Sequence, residues 1–437
     1  MVCVYTPQIN SRIRYIFSHI FQQVLQTEFI LSEKVEEFIA HKGPKLSYAK
    51  QALGSEFFIK SQGLLSAQNI ERQEIVGGLW EGLPCFFKTD ERAAVPFDLF
   101  AASFYLLTRY EEYAPLNEHL TGYFPYSRSV AFAQNFLHLP IIDLWILKLV
   151  EKLQRPFPEL NLPECKPKWR QLLIVDELYR FRSKGFIRTL GGYLDDLTHL
   201  DLVRLLERSL CLLRLRKDPY DNAKYLIRIA RKYELPTRAF YSAGTYGKYD
   251  KNISPLLKKF EIEVKHLSDY FSPGYLVSYE AAGKEALTER EKRTLSEILK
   301  REIQHGQFHR LQLRFPNAYR ALIEAEVFHD HSMGYFSHYG YRAGTARPFY
   351  FYDLEHEQKT PLSIHPFAVG GDYLRRLSRR RSHTEVTAFL LELIRPLKQV
   401  KADLSFAVHA KHFGEYERWM GWRRFYETCL ETLKKEF

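Results

Sequence analysis

The run Leu172-Leu173-Ile174-Val175-Asp176 constrains this chain more than any other feature. A short aliphatic stretch ending in an acid is the pattern of a strand buried on both faces, with its carboxylate emerging at a ligand-binding edge. Comparable runs end in polar residues at Arg238-Ala239-Phe240-Tyr241-Ser242, Leu362-Ser363-Ile364-His365 and Ser405-Phe406-Ala407-Val408-His409. Shorter candidates lie at Tyr275–Tyr279 and Gly340–Arg342, and helical tracts at 202–231, 289–302 and 318–326. Strands alternating with helices, with polar residues at strand ends, predict an α/β fold in which a (β/α) barrel gathers those ends at one face.

A chain of 437 residues exceeds one minimal core. Four prolines, Pro156, Pro158, Pro163 and Pro167, crowd the segment after Arg155. Proline removes backbone donors and biases its predecessor away from helix, so this segment reads as a linker. It divides a separate N-terminal α+β module, residues 1–160, from the barrel, residues 168–437. Within the module, apolar residues from Ile13 to Leu25 recur at helical spacing across 12–31. Asp98 is placed to cap a helix running from Leu99 toward Arg109. Arg109, Glu111 and Glu112 read as a structural ion-pair set or a surface face rather than as catalytic groups.

The formal charge of +11 raises the question of nucleic acid or anionic membranes. Only Arg375, Arg376, Arg379, Arg380 and Arg381 form a dense basic cluster, which reads as a solvated helix or loop. No signature of a common nucleic-acid module is present, so no nucleic acid is expected as partner. Cys3, Cys85, Cys165, Cys211 and Cys429 are far apart and contain no CxxC pair, which argues against a disulfide framework or thiolate zinc site. No run is long and apolar enough for a transmembrane segment. The N-terminus lacks a signal-peptide pattern, which makes cytoplasmic the expected location.

Hydrolysis of an amide at a metal needs an open coordination site, a base for water and an acid for the leaving nitrogen. Asp176, His309, His365 and His409 are the candidates, with Arg342 orienting a carboxylate. A lone histidine near a strand end is more often a hydrogen-bonded core residue than a ligand; four such residues together make the site reading competitive. His329 and His331 would share one strand face around Asp330, but the more conservative reading is a strand edge leading into Ser332-Met333-Gly334. Asp195-Asp196 reads as a surface pair on a helix.

Pro96–Leu107, Arg109–Tyr113, Gly185–Gly192, Tyr249–Ser254, Ser332–Tyr335, Arg342-Ala343-Gly344-Thr345 and Ile364–Phe367, taken in order, carry a family resemblance. The chain resembles the cytoplasmic polysaccharide deacetylase-like (NodB-homology) proteins of Bacteroidetes-type bacteria, which carry an N-terminal domain of unknown function. That resemblance implies a distorted (β/α) barrel of the NodB-homology type, a divalent metal such as zinc, and a carbohydrate substrate or ligand. It places Asp176 and His309 among the metal ligands, Arg342 in the Arg-Ala-Gly motif and His365 as the catalytic acid. Ile174 falls where the family has its base aspartate, and Leu276 where it has a metal-binding histidine. Neither side chain has a lone pair to offer. Glu177, on the opposite strand face from Asp176, is a poor substitute.

Two readings follow. One is a weakened metal-dependent hydrolase removing an N-acetyl group from a carbohydrate. The other is a catalytically inactive carbohydrate-binding or scaffold pseudoenzyme. Nucleic-acid binding through the arginine cluster ranks last.

Overall fold

The structure, a computed structural model, describes residues 1–90, 92–113, 123–160, 163–164 and 166–437. Cys165 and part of the proline-rich linker lie outside the described residues. The chain forms two compact units. The first contains Met1–Lys168, Met333–Ala368 and Glu392–Leu404, and the second Trp169–Ser332, Val369–Leu391 and Ser405–Phe437. A contiguous second domain over 168–437 is therefore not what the contacts draw, because 333–368 packs with the N-terminal residues.

In the first unit four strands run in the order Phe29–Ser32, Val2–Tyr5, Lys45–Ala49, Phe58–Lys60. All adjacent pairs are parallel. Parallel pairing requires crossovers, so the module is a small α/β layer rather than one with segregated helices and strands. The expected first helix is shorter than its apolar pattern. It runs Ser11–Phe17, with the Asn10 side chain accepting from Ile13 N, and continues as a wider π-helical segment over Ser18–Val24. Asp98 caps Leu99–Leu107 through Ala101 N, and also accepts from Tyr48 Oη at 2.9 Å and Gln62 N at 2.7 Å. Phe349–Asp353 and Gln358–Ile364 form an antiparallel pair in the same unit. Gly340–Arg342, expected as strand, lies outside any strand. The glycine of Arg342-Ala343-Gly344 has φ +70°, and a Cβ there would lie 2.9 Å from Leu106. Backbone conformation and packing both require glycine there.

In the second unit the strands lie in the order His329–Asp330, His305–Phe308, Ser272–Val277, Thr237–Tyr241, Trp169–Val175, Leu404–His409, Val369–Gly370. The pairs from His329–Asp330 through Trp169–Val175 are parallel. The expected barrel is not closed among the described residues, whose strand order is open at both ends. The predicted tract 202–231 is two helices, Leu202–Leu212 and Ala223–Lys232. Asp196 is not a surface acid. It is fully buried and holds Arg204 Nε at 2.6 Å and Arg208 Nε at 2.7 Å.

Candidate functional site

Parallel strands bring their C-terminal ends to one edge, where loops can converge side chains from distant sequence. Five functional groups of the second unit meet there. Asp176 follows the strand ending at Val175, and His309 the one ending at Phe308. His409 closes the strand Leu404–His409, with Lys411 two residues beyond. Asp250 comes from the loop after Thr237–Tyr241.

Asp176 Oδ2 is the hub. Lys411 Nζ donates a short charged hydrogen bond to it. His409 Nδ1 lies 3.2 Å and His309 Nε2 3.6 Å from the same oxygen. On its other side His309 Nδ1 bonds Asp250 Oδ1 at 2.8 Å. Asp250 in turn accepts from Tyr279 N at 3.0–3.1 Å. Asp176 Oδ1 is buried with no hydrogen-bond partner among the described residues.

The electrostatics follow from this packing. Burial alone would push the Asp176 carboxyl up, but Lys411, then His409 and His309, outweigh it and hold the carboxyl well below its ordinary range. Burial would push the Lys411 ammonium down; Asp176 and Glu177 reverse that and raise it. His309 follows the same logic, its burial outweighed by the two aspartates, so its pKa is raised. His412 moves the other way: burial, then the neighbouring His409 and Lys411, push it well below the ordinary imidazole value. Its ring stacks on Trp419 at 3.4 Å.

The donor set can be tested against a divalent metal. Zinc in proteins takes three or four protein ligands, or three and a water. Asp176 Oδ2, the oxygen that both histidines face, already carries a lysine ammonium, which has no lone pair to offer. Ile174 and Leu276, which the resemblance aligns with a base and a metal-binding histidine, are fully buried aliphatics with no lone pair. Among the described residues no group of three His, Cys, Asp or Glu is arranged to hold a metal ion. As they stand, the residues do not fit the group.

Other expected site residues are placed differently. Glu177 is tied to Lys184 at 2.8 Å. Arg342 belongs to the first unit, where its guanidinium pairs with Glu112, with Nε 2.9 Å from Oε1. The same Glu112 oxygen accepts from Arg109 Nε at 2.7 Å, and Glu111 accepts from Arg109 Nη2 at 2.8 Å. The ion-pair expectation for Arg109, Glu111 and Glu112 thus describes a buried network that also absorbs Arg342. His365 also lies in the first unit, half-buried, with Nε2 3.3 Å from Ser363 Oγ. The His329 and His331 pair forms no clamp; His331 Nε2 lies 3.0 Å from His305 Nδ1, and Asp330 accepts from Tyr319 Oη and Ser332.

Sequence reasoning missed Asp250 and Lys411. Asp250 sits inside a stretch already noted for its resemblance, Tyr249–Ser254. The spacing His409-x-Lys411 at a strand end was a usable signal for a second cation beside Asp176.

Residues 2–158 match a family of unknown function, DUF7033. No curated protein matches. Among solved structures, the chain is similar at 10% identity to a Mycobacterium smegmatis protein provisionally described as a polysaccharide deacetylase. That match has a TM-score of 0.38 and covers 62% of this chain and 86% of the other. A probable polysaccharide deacetylase from Pseudomonas aeruginosa PAO1 matches at 10% identity and TM-score 0.35, covering 62% and 92%. PuuE allantoinase matches at 10% identity and TM-score 0.34, covering 60% and 84%. No helix among the described residues is long and apolar enough to cross a membrane.

Proposed function

We propose that the second unit is a polysaccharide deacetylase-like domain that has exchanged its metal for an internal lysine, and that it binds an acylated carbohydrate without hydrolysing it. One observation carries this reading: the Lys411 ammonium sits on Asp176 Oδ2, the oxygen that His309 and His409 also face. Hydrolysis would further require a base to deprotonate water. Ile174 cannot serve, and His309 lies between two carboxylates that favour its protonated form over the free base.

A binding role is supported by what surrounds the hub. Tyr249 and Tyr279, both partly exposed, flank Asp250 with ring centroids 4.4 Å apart. The Arg310 guanidinium lies 4.4 Å from the centre of the Tyr249 ring. Aromatic faces beside acid and amide groups suit a sugar ring and its hydroxyls. Asp176 Oδ1 is an acceptor left for a ligand hydroxyl. The family resemblance adds the ligand class and a cytoplasmic setting.

The test pairs two assays on the purified chain: acetate release from N-acetylglucosamine oligomers with zinc, nickel or cobalt supplied, and calorimetric binding of the same oligomers. Binding without acetate is expected. Metal-stimulated acetate release would overturn the inactive reading, and absence of binding to any acylated oligomer would remove the carbohydrate.

A further inference from the structure

The helices Phe186–Thr198 and Leu202–Leu212, joined by a short turn, are built the wrong way round for a monomer. Phe186–Thr198 buries only Asp196, and Leu202–Leu212 only Cys211. Apolar side chains face outward instead. Phe186 is 82% exposed, Ile187 84%, Leu200 83% and Val203 73%, and Leu190, Leu194, Leu197, Leu202, Leu206, Leu213 and Leu215 are each at least half exposed. Along the first helix the exposed positions 187, 190, 194 and 197 recur every three or four residues, and along the second 202, 203 and 206 continue the pattern. Each helix thus presents one continuous apolar stripe.

The charges explain how this face is held open. Asp196 lies between the helices and grips Arg204 and Arg208, while Tyr193 Oη meets Ser209 Oγ at 2.9 Å. Polar groups therefore join the two helices to each other. The exposed side chains together present on the order of 1,000 Å² of apolar surface, well above the few hundred Å² a monomer ordinarily leaves open. That is comparable with the roughly 800 Å² each partner contributes to a stable interface.

We propose that this hairpin is a homodimer interface, covered by the same hairpin of a second copy in a four-helix arrangement. Area is one argument. Charge is the other. An interfacial helix that seeks anionic lipid displays unpaired Lys and Arg along its border. Between Phe186 and Leu215 the acids Asp195, Asp196, Asp201 and Glu207 match Arg188, Arg204, Arg208 and Arg214 in number, so the face carries no excess of positive charge, and Arg204 and Arg208 are already paired with Asp196. An uncharged apolar face carries nothing to repel its own copy, and a two-fold axis makes it self-complementary.

Sedimentation equilibrium of the full chain reads the result directly. The expected mass is twice the 51.7 kDa of one chain. Leu190→Glu with Leu206→Glu, both at surface positions, should leave far-ultraviolet dichroism unchanged and weaken the dimer by on the order of 100-fold or more, because two carboxylates per copy would be buried unpaired. Ile39→Glu, an exposed apolar site of the first unit, should leave the dimer intact. A wild-type monomer at tens of micromolar would overturn the proposal. So would a double variant that still dimerises, or a wild-type monomer that sediments with phosphatidylglycerol vesicles. The wild-type measurement stands whether or not the variant folds.

Discussion

Two buried ion clusters of this protein look alike in sequence and differ in chemistry. In the first unit, Arg109 and Arg342 share Glu112, with Glu111 completing a set of two cations and two anions, and all four residues are buried. The pairing is close to neutral, with Arg109 Nη1 and Arg342 Nη1 buried without a hydrogen-bond partner among the described residues, and the Glu112 carboxyl, which burial would raise, is held low by Arg342 and Arg109. In the second unit, one oxygen of Asp176 faces three nitrogen-bearing side chains while its other oxygen has no partner among the described residues. The first cluster has the character of a structural staple. The second keeps an unused acceptor at the edge of a parallel sheet, where ligands are met. An arginine in a recognisable motif therefore belongs with the staple, and a lysine outside any motif belongs with the site.

That contrast can be broken in several ways, the largest expected effect first. Ile174→Asp with Leu276→His alone should take up no zinc, because the ammonium still occupies Asp176. Adding Lys411→Ala should bring uptake toward one equivalent, read by metal analysis after dialysis. Uptake by the double variant would show that Lys411 is no obstacle. Arg342→Met should destabilise the chain by about 3 kcal/mol in urea unfolding, since it leaves the buried Glu111 and Glu112 sharing Arg109. A loss below 1 kcal/mol would mean that the first cluster is not a staple. Lys411→Met should cost less, about 2 kcal/mol, because the Lys411 side chain keeps 28% exposure. It should also move the Asp176 carboxyl upward, measurable by carboxyl-carbon NMR titration.

The smallest effect is in pH dependence. His309 has a raised folded pKa, so its contribution to stability is complete below the ordinary imidazole value near 6.5 and is lost as pH rises through the folded value. Asp176 contributes in the opposite window: its stabilisation is present above the ordinary carboxyl value near 3.8 and is lost as pH falls through the depressed one. Stability of the wild type against His309→Gln should therefore converge as pH rises past that folded value. A difference that grows with rising pH would contradict a protonated His309.

What could be read from sequence was what local pattern determines. The aliphatic run 172–175 is a buried strand ending at Asp176, Ser405–His409 lies within another, and Asp98 caps its helix, each because burial, period and capping act over a few residues. Partner identity was less legible. Arg342 and Glu112 are 230 positions apart, and Lys411 and Asp176 are 235 apart. Nothing in the local sequence around Arg342 distinguishes a carboxylate in a site from one in a staple. Asp196 was misread for a similar reason: adjacent acids on a helix point apart, but one of them met a second helix carrying two arginines. The return of 333–368 to the first unit left no compositional mark, since a crossing chain needs no linker when both ends are packed.

Zinc calorimetry on the unaltered chain, with Asp176→Asn as its control, probes the lysine-for-metal exchange most directly. The account predicts no saturable heat and no difference between the two proteins at micromolar zinc. One equivalent bound by the wild type and lost in Asp176→Asn would contradict it.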